Sequence, residues 1–272
     1  MTTATIRHPA VAGRFYPLDH DALLAEVQSY IAPCEDERIA ALGCVVPHAG
    51  YIYSGHVAGA VYARLDIPRR CILMCPNHTG MGHPLSIMSQ GAWETPLGDV
   101  PIDGPLAKTL KEVFPALSED AQAHRAEHAA EVQLPFLQAR RPQFTFVPIA
   151  LGTGQFEVLA RLGEAMAEAV AAQKERVLII ASSDMNHYEP DDVTRVKDHK
   201  AIDRILALDA RGLYDVVINE DISMCGFGPT VAMLVAARKL GATSAELIRY
   251  ATSGDVSGDR DAVVGYAGVA VR

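Results

Sequence analysis

The sequence lacks any apolar stretch approaching the roughly 18 residues that a bilayer-spanning helix needs. Its first residues, MTTATIRHPAVAGRFYP, carry charge and no apolar centre, so neither a membrane anchor nor a secretory signal is expected. Positive charge is in deficit, with 24 Lys and Arg against 33 Asp and Glu and a net charge of −9. That balance argues against a dedicated binder of nucleic acid or of anionic membranes. Cysteine is sparse and odd in number: Cys34, Cys44, Cys71, Cys75 and Cys225, with no C-x-x-C pair. A disulfide framework is therefore not expected, and a cytoplasmic location follows. The first four cysteines lie in or beside apolar stretches and read as small buried hydrophobes. There is no G-x-x-x-x-G-K-[ST] phosphate loop and no G-x-S-x-G nucleophile elbow. The one tryptophan, Trp93, precedes ETPLGDVPID and reads as packing a loop over the sheet, with substrate stacking as the alternative.

What is present is 49% hydrophobic residues over 272 positions, enough for a sizeable core. Short apolar runs, Leu42 to Val46, Cys71 to Cys75, Phe144 to Leu151 and Val177 to Asp184, alternate with helical patterns. Helices are expected at about Asp21 to Ile31, through Val57, Ala60, Val61 and Leu65, from Phe156 to Ala172, and from Pro229 to Leu240. Strands are expected near Ala245 to Tyr250 and Val263 to Val271. Unbroken apolar strands separated by helices indicate an α/β fold whose mostly parallel sheet is covered on both faces. No linker, charge block or internal repeat divides the chain, so residues 1–272 read as a single domain. Ligands of such folds sit outside the carboxyl ends of the strands.

Three apolar runs end in a polar cluster holding a histidine: Pro47-His48-Ala49-Gly50, Pro76-Asn77-His78 and Asp184-Met185-Asn186-His187. Parallel strands would bring all three to one edge. Histidine is the commonest metal ligand and a general base near neutral pH. Asp184 reads either as a partner of His187 or as a helix N-cap. In EHAAEVQLPF, Glu127 and Glu131 are four apart and read as sharing a helix face, beside His128 and Gln133. His124 to His128 also fits the H-x-x-E-H pattern of inverted zinc peptidases, but no downstream carboxylate marks a third ligand. His124 otherwise reads as a solvated residue at a helix start. Cys225, in SMCGFGP at the head of a helix, reads as a nucleophile, a redox-active thiol, a metal ligand or a buried thiol.

In order and wording, nine phrases resemble the Memo-like family, the B component of the AmmeMemoRadiSam set: RHPAVAGRFYP, VVPHAGYIYSG, PNHTGMG, WETPLGDVPID, EHAAEVQLPFLQ, VPIALG, IIASSDMNHY, MCGFGPTVAML and YATSGDVSGD…VVGYAG. They run from about residue 7 to residue 271. Departures are few: Met74-Cys75 stands where a glycine is expected before P-N-H, and Ala129 where serine is common. The resemblance implies a fold similar to class III extradiol dioxygenases, which hold non-haem iron(II) with two histidines and a glutamate. A cysteine replaces the carboxylate in Memo-like proteins. Carried onto this chain, His48, His78 and Cys225 become the metal set, with Asp184, His187 and His128 lining the pocket. His187 takes the acid/base place. The implied cofactor is Fe(II), with Cu or Zn as alternatives. The implied activity is a metal-dependent oxidation of an unknown small molecule or modified residue. A metal-handling or peptide-binding use of a vestigial pocket is the alternative. The same resemblance implies a pathway link to radical-SAM and AMMECR1-like proteins.

Overall fold

The computed structural model describes residues 5–31 and 37–272; Cys34 lies outside them. Its strands are β1 (Ile6–Arg7), β2 (Gly43–Val46), β3 (Arg70–Pro76), β4 (Leu85–Ile87), β5 (Ala92–Thr95), β6 (Gly98–Pro101), β7 (Ser118–Glu119), β8 (Thr145–Leu151), β9 (Val177–Ser182), β10 (His187–Glu189), β11 (Ala245–Thr252) and β12 (Val263–Val271). Nine of them form one sheet in the order β10-β12-β2-β9-β3-β8-β4-β7, with β11 paired to β12. The centre, β2-β9-β3-β8, is parallel. Antiparallel strands flank it, β12 beside β2 and β4 beside β8, so the whole sheet is mixed. A small second sheet joins β5 to β1 and β6.

The unbroken apolar runs follow from burial on both faces. Along β3, Ile72 and Met74 enter one core while Cys71, Leu73 and Cys75 enter the other. Along β9, Ile179 and Ala181 alternate in the same way with Leu178 and Ile180. A strand with two apolar faces has no polar period to show. Helices Phe156–Ala171, Asp191–Leu206 and Phe227–Lys239 supply the first core; His20–Tyr30, Tyr51–Arg64 and Leu134–Arg140 supply the second. Asp19 caps the first of these helices, its carboxylate accepting the Ala22 N–H at 2.9 Å. Helices Phe156–Ala171 and Phe227–Lys239 meet at Gly163, where a β-carbon would lie 2.5 Å from the Ala232 carbonyl oxygen. None of the described helices is long and apolar enough to cross a membrane.

Three expectations change. Trp93 is not under a loop. It lies on β5, fully buried, with the Arg7 guanidinium 4.4 Å from its ring centroid. Glu127 and Glu131 do not share a helix: a four-residue helix ends at Arg125, and a single 3₁₀ turn begins only at Glu131. His124, on that short helix, is fully buried rather than solvated. The H-x-x-E-H pattern therefore has no helical setting here.

Candidate functional site

The in-register parallel centre aligns Val46 with Ser182 and Met74 with Ala181, so β2, β3 and β9 release their chains at one edge. A cleft of about 510 Å³ opens there. Its lining includes His48, His78, His128, Asp184, His187 and Cys225, together with Phe15, Tyr188, Ser223 and Tyr266. All six residues singled out in the sequence thus meet in one place.

His48 is buried, and a hydrogen-bond chain sets its ring. The Ser182 hydroxyl donates to the Ala129 carbonyl at 2.6 Å, which uses its one proton. It therefore accepts from His48 Nδ1 at 3.0 Å, and also from Gln133 Nε2 at 2.9 Å. Gln133 is oriented in turn, donating to the Pro47 carbonyl at 2.9 Å and accepting from the Tyr62 hydroxyl at 3.0 Å. His48 must carry its proton on Nδ1, which leaves the Nε2 lone pair facing the cleft. Burial, then the neighbouring His128 and His78, pushes its pKa well down and keeps the ring neutral.

His78 is held by a carboxylate. Glu127 accepts its backbone N–H at 2.6 Å and Nδ1–H at 2.9 Å, and accepts Ala129 N–H at 2.9 Å. Burial alone would raise the Glu127 pKa, but the His78 hydrogen bond and charge bring it down to about 2. For His78 the same bond outweighs desolvation and raises the pKa above its ordinary value. Its Nε2 is again the unprotonated nitrogen. His128 stacks on His78 at 4.8 Å, with ring planes 18° apart, whereas the His48 ring stands nearly perpendicular to both. His128 also packs against Phe15 at 4.9 Å.

Cys225 reaches the site from the turn before helix Phe227–Lys239, its Sγ 3.2 Å from His48 Nε2. Gly226 makes this approach feasible: a β-carbon there would lie 2.4 Å from the Ser182 carbonyl oxygen. The sulfur accepts the Asp184 N–H at 3.3 Å. Burial, and then the charge of Asp184, pushes the thiol pKa well up. Asp184 is no helix cap. Its Oδ1 accepts the His48 N–H at 2.7 Å, its Oδ2 lies 4.0 Å from His48 Nε2, and burial raises its pKa. His187 donates Nδ1–H to the Ser223 carbonyl at 2.8 Å, leaving Nε2 as its basic nitrogen.

The donor set suits a transition metal. Ligand nitrogens of His48, His78 and His128 lie within 4.8 Å of one another. A tetrahedral ion with Zn–N near 2.0–2.1 Å and Zn–S near 2.3 Å needs neighbouring ligand atoms roughly 3.3–3.6 Å apart. The Nε2 to Sγ contact of 3.2 Å is already close to that. His48 and His78 each bear the proton on the far nitrogen, held by a hydroxyl and a carboxylate, as metal-binding histidines require. Sequence reasoning had grouped Glu127 and Gln133 with His128 without seeing that they serve His78 and His48. It gave Ser182 and Ser223 no role.

The family model described as "Memo-like protein" matches residues 7–270. A MEMO1 family protein of Methanothermobacter thermautotrophicus is 44% identical over 273 residues, covering 96% of this chain and 99% of the relative. One from Methanosarcina barkeri is 46% identical over 268 residues, covering 98% and 100%. Among solved structures, an uncharacterized protein of Escherichia coli K12 superposes with a TM-score of 0.54 at 13% identity, covering 84% of this chain and 98% of that one. That likeness is one of fold alone. With its family model matched almost end to end and its relatives covered in full, the chain belongs to the Memo-like family.

Proposed function

We propose that the cleft holds one transition-metal ion between His48, His78 and Cys225, and that the protein is a metal-dependent redox enzyme acting on a small molecule or a modified residue. The carrying observation is the fixed tautomer of two perpendicular imidazoles whose lone pairs face one cleft, with a thiol 3.2 Å from one of them. His128, stacked on His78, would be the alternative third ligand to Cys225. Two imidazoles and a thiolate suit Fe(II), Cu or Zn, with Fe(II) put first by the resemblance to iron(II) dioxygenases. When bound, iron or copper would supply Lewis acidity and one-electron redox chemistry. His187 accepts a proton from the substrate at Nε2, its Nδ1–H staying on the Ser223 carbonyl. Asp184 holds the His48 backbone and keeps a carboxyl group beside the ligands. His128 and Phe15, packed on each other, add apolar wall to the cleft.

The test is metal content and coordination, with the protein purified without oxygen. Wild type is expected to hold near one iron or copper per chain with nitrogen and sulfur ligands by X-ray absorption. His48→Ala should lose the metal, and Cys225→Ser the sulfur signal. Full metal content in His48→Ala would sink the reading.

A further inference from the structure

Asn186 is fully buried and lines none of the cleft, yet it touches both halves of the machinery. Its Oδ1 accepts the N–H and the hydroxyl proton of Ser223, each at 3.0 Å. Its Nδ2 donates to Glu189 at 2.5 Å, and Lys197 reaches the same carboxylate at 2.7 Å. Two donors on one side and a carboxylate on the other leave one orientation for the amide. Its backbone is held as well, by Asp198 Oδ1 at 2.8 Å.

Ser223 passes this orientation on. Its hydroxyl oxygen accepts the His187 N–H at 2.8 Å, and its carbonyl accepts His187 Nδ1–H at 2.8 Å. Ser223 also stands two residues before Cys225, on the same turn. Among the described residues, no ladder joins that turn to β10, which pairs with β12. The join between residues 186–187 and Ser223 is made by these four hydrogen bonds and a longer one, 3.5 Å, from the Ser223 hydroxyl to the His187 carbonyl.

We propose that Asn186 is a positioning residue that, through Ser223, sets the His187 ring and the Cys225 turn as a single unit. The proposal rests on reading His187 as the acid/base group and Cys225 as a ligand. Without the Asn186 oxygen, the Ser223 N–H loses its acceptor and the hydroxyl keeps only the 3.5 Å contact to the His187 carbonyl. The Ser223 carbonyl is then free to leave His187 Nδ1, and the Cys225 turn is left with its bonds to the end of β9, Gly226 N–H to Ser183 Oγ at 3.0 Å and Asp184 N–H to Cys225 Sγ at 3.3 Å.

The test compares full-length, metal-free wild type, Asn186→Ala and the double variant Asn186→Asp/Glu189→Gln. The double variant exchanges donor and acceptor across the Asn186–Glu189 contact and keeps an oxygen toward Ser223. Nitrogen-15 spectra of the neutral His187 ring read its tautomer, and mass spectrometry reads iodoacetamide labelling of Cys225. Wild type and the double variant are expected to show the Nδ1–H tautomer alone and slow labelling. Asn186→Ala should show mixed tautomers and labelling about tenfold faster or more, the loss of two buried hydrogen bonds to Ser223 easing local opening. Should Asn186→Ala not fold, Ser223→Ala removes one hydroxyl and is read the same way. Asn186→Ala with both readouts unchanged, with only one changed, or with both changed and no recovery in the double variant would overturn the proposal. Failure of wild type to bind cobalt(II) would instead overturn the metal reading and leave these two readouts standing.

Discussion

Replacing Glu127 by glutamine removes a charge from the core with almost no change of shape. The carboxylate accepts three hydrogen bonds, from His78 N, His78 Nδ1 and Ala129 N. Gln has one acceptor oxygen, which can serve the Nδ1 and Ala129 donors that share Oε1. Its amide NH₂ then faces the His78 N–H, donor against donor. One buried donor left unsatisfied costs about 1–3 kcal/mol. The imidazole also loses the charge that raises its basicity, and changing such an outer partner lowers metal affinity by roughly 10–100-fold. Zinc(II) affinity, read by competition with a chromophoric chelator, should fall by that factor in Glu127→Gln, with His78→Ala as the reference for loss of the ligand itself. Linkage adds a second readout in the metal-free protein. The Glu127 pKa falls from an ordinary 4.5 to about 2 in the fold. A depressed carboxylate stabilises above its unfolded pKa, and that contribution is lost as the pH falls from 4.5 toward 2. It amounts to about 3 kcal/mol. Denaturation followed across that window should show the loss in wild type and a flatter profile in Glu127→Gln. Affinity within twofold of wild type, together with an unchanged acid profile, would refute the account of His78.

Ser182→Ala leaves His48 Nδ1–H and one Gln133 N–H without their acceptor, so metal affinity should drop about 10-fold or more by the same competition assay. Gly163→Ala should destabilise by about 1–3 kcal/mol in urea despite alanine's better helix propensity, because the added carbon meets a backbone oxygen. Glu131→Gln strips the counter-charge from buried Arg7 and weakens the grip on Ala10 N, Val11 N and the Tyr16 hydroxyl. A loss of about 3–5 kcal/mol is expected, measured by the same denaturation.

The parallel centre and the edge carrying the histidines were legible because both follow from local pattern: apolar runs of strand length, each ending in a polar cluster. The antiparallel flanks were not, since β11 and β12 are apolar segments whose direction is set by pairing partners and leaves no mark in their composition. Glu127 and Glu131 show a different failure. Their spacing of four is helical, but each is drawn to a distant partner, Glu127 to His78 and Glu131 to Arg7. Such long-range satisfaction overrides a weak i, i+4 preference worth a few tenths of a kcal/mol. The same Arg7 explains Trp93 and His124: its guanidinium covers the indole and donates to the His124 carbonyl at 3.0 Å, drawing both into the interior. The six expected site residues line one cleft. Their supports, Ser182, Gln133 and Ser223, carry no signal beyond ordinary polar composition.

Strand β12 lies between β2 and β10, and Val264 and Tyr266 on it line the cleft. On the ribosome it emerges after every other strand. Until then the edge of β2 has no neighbour on that side, and the cleft lacks a wall. Closure of the cleft therefore waits until the strands that precede β12 have been made. A nascent chain stalled before Val263 would present an open strand edge to aggregation or to a chaperone, with its histidines gathered but unenclosed.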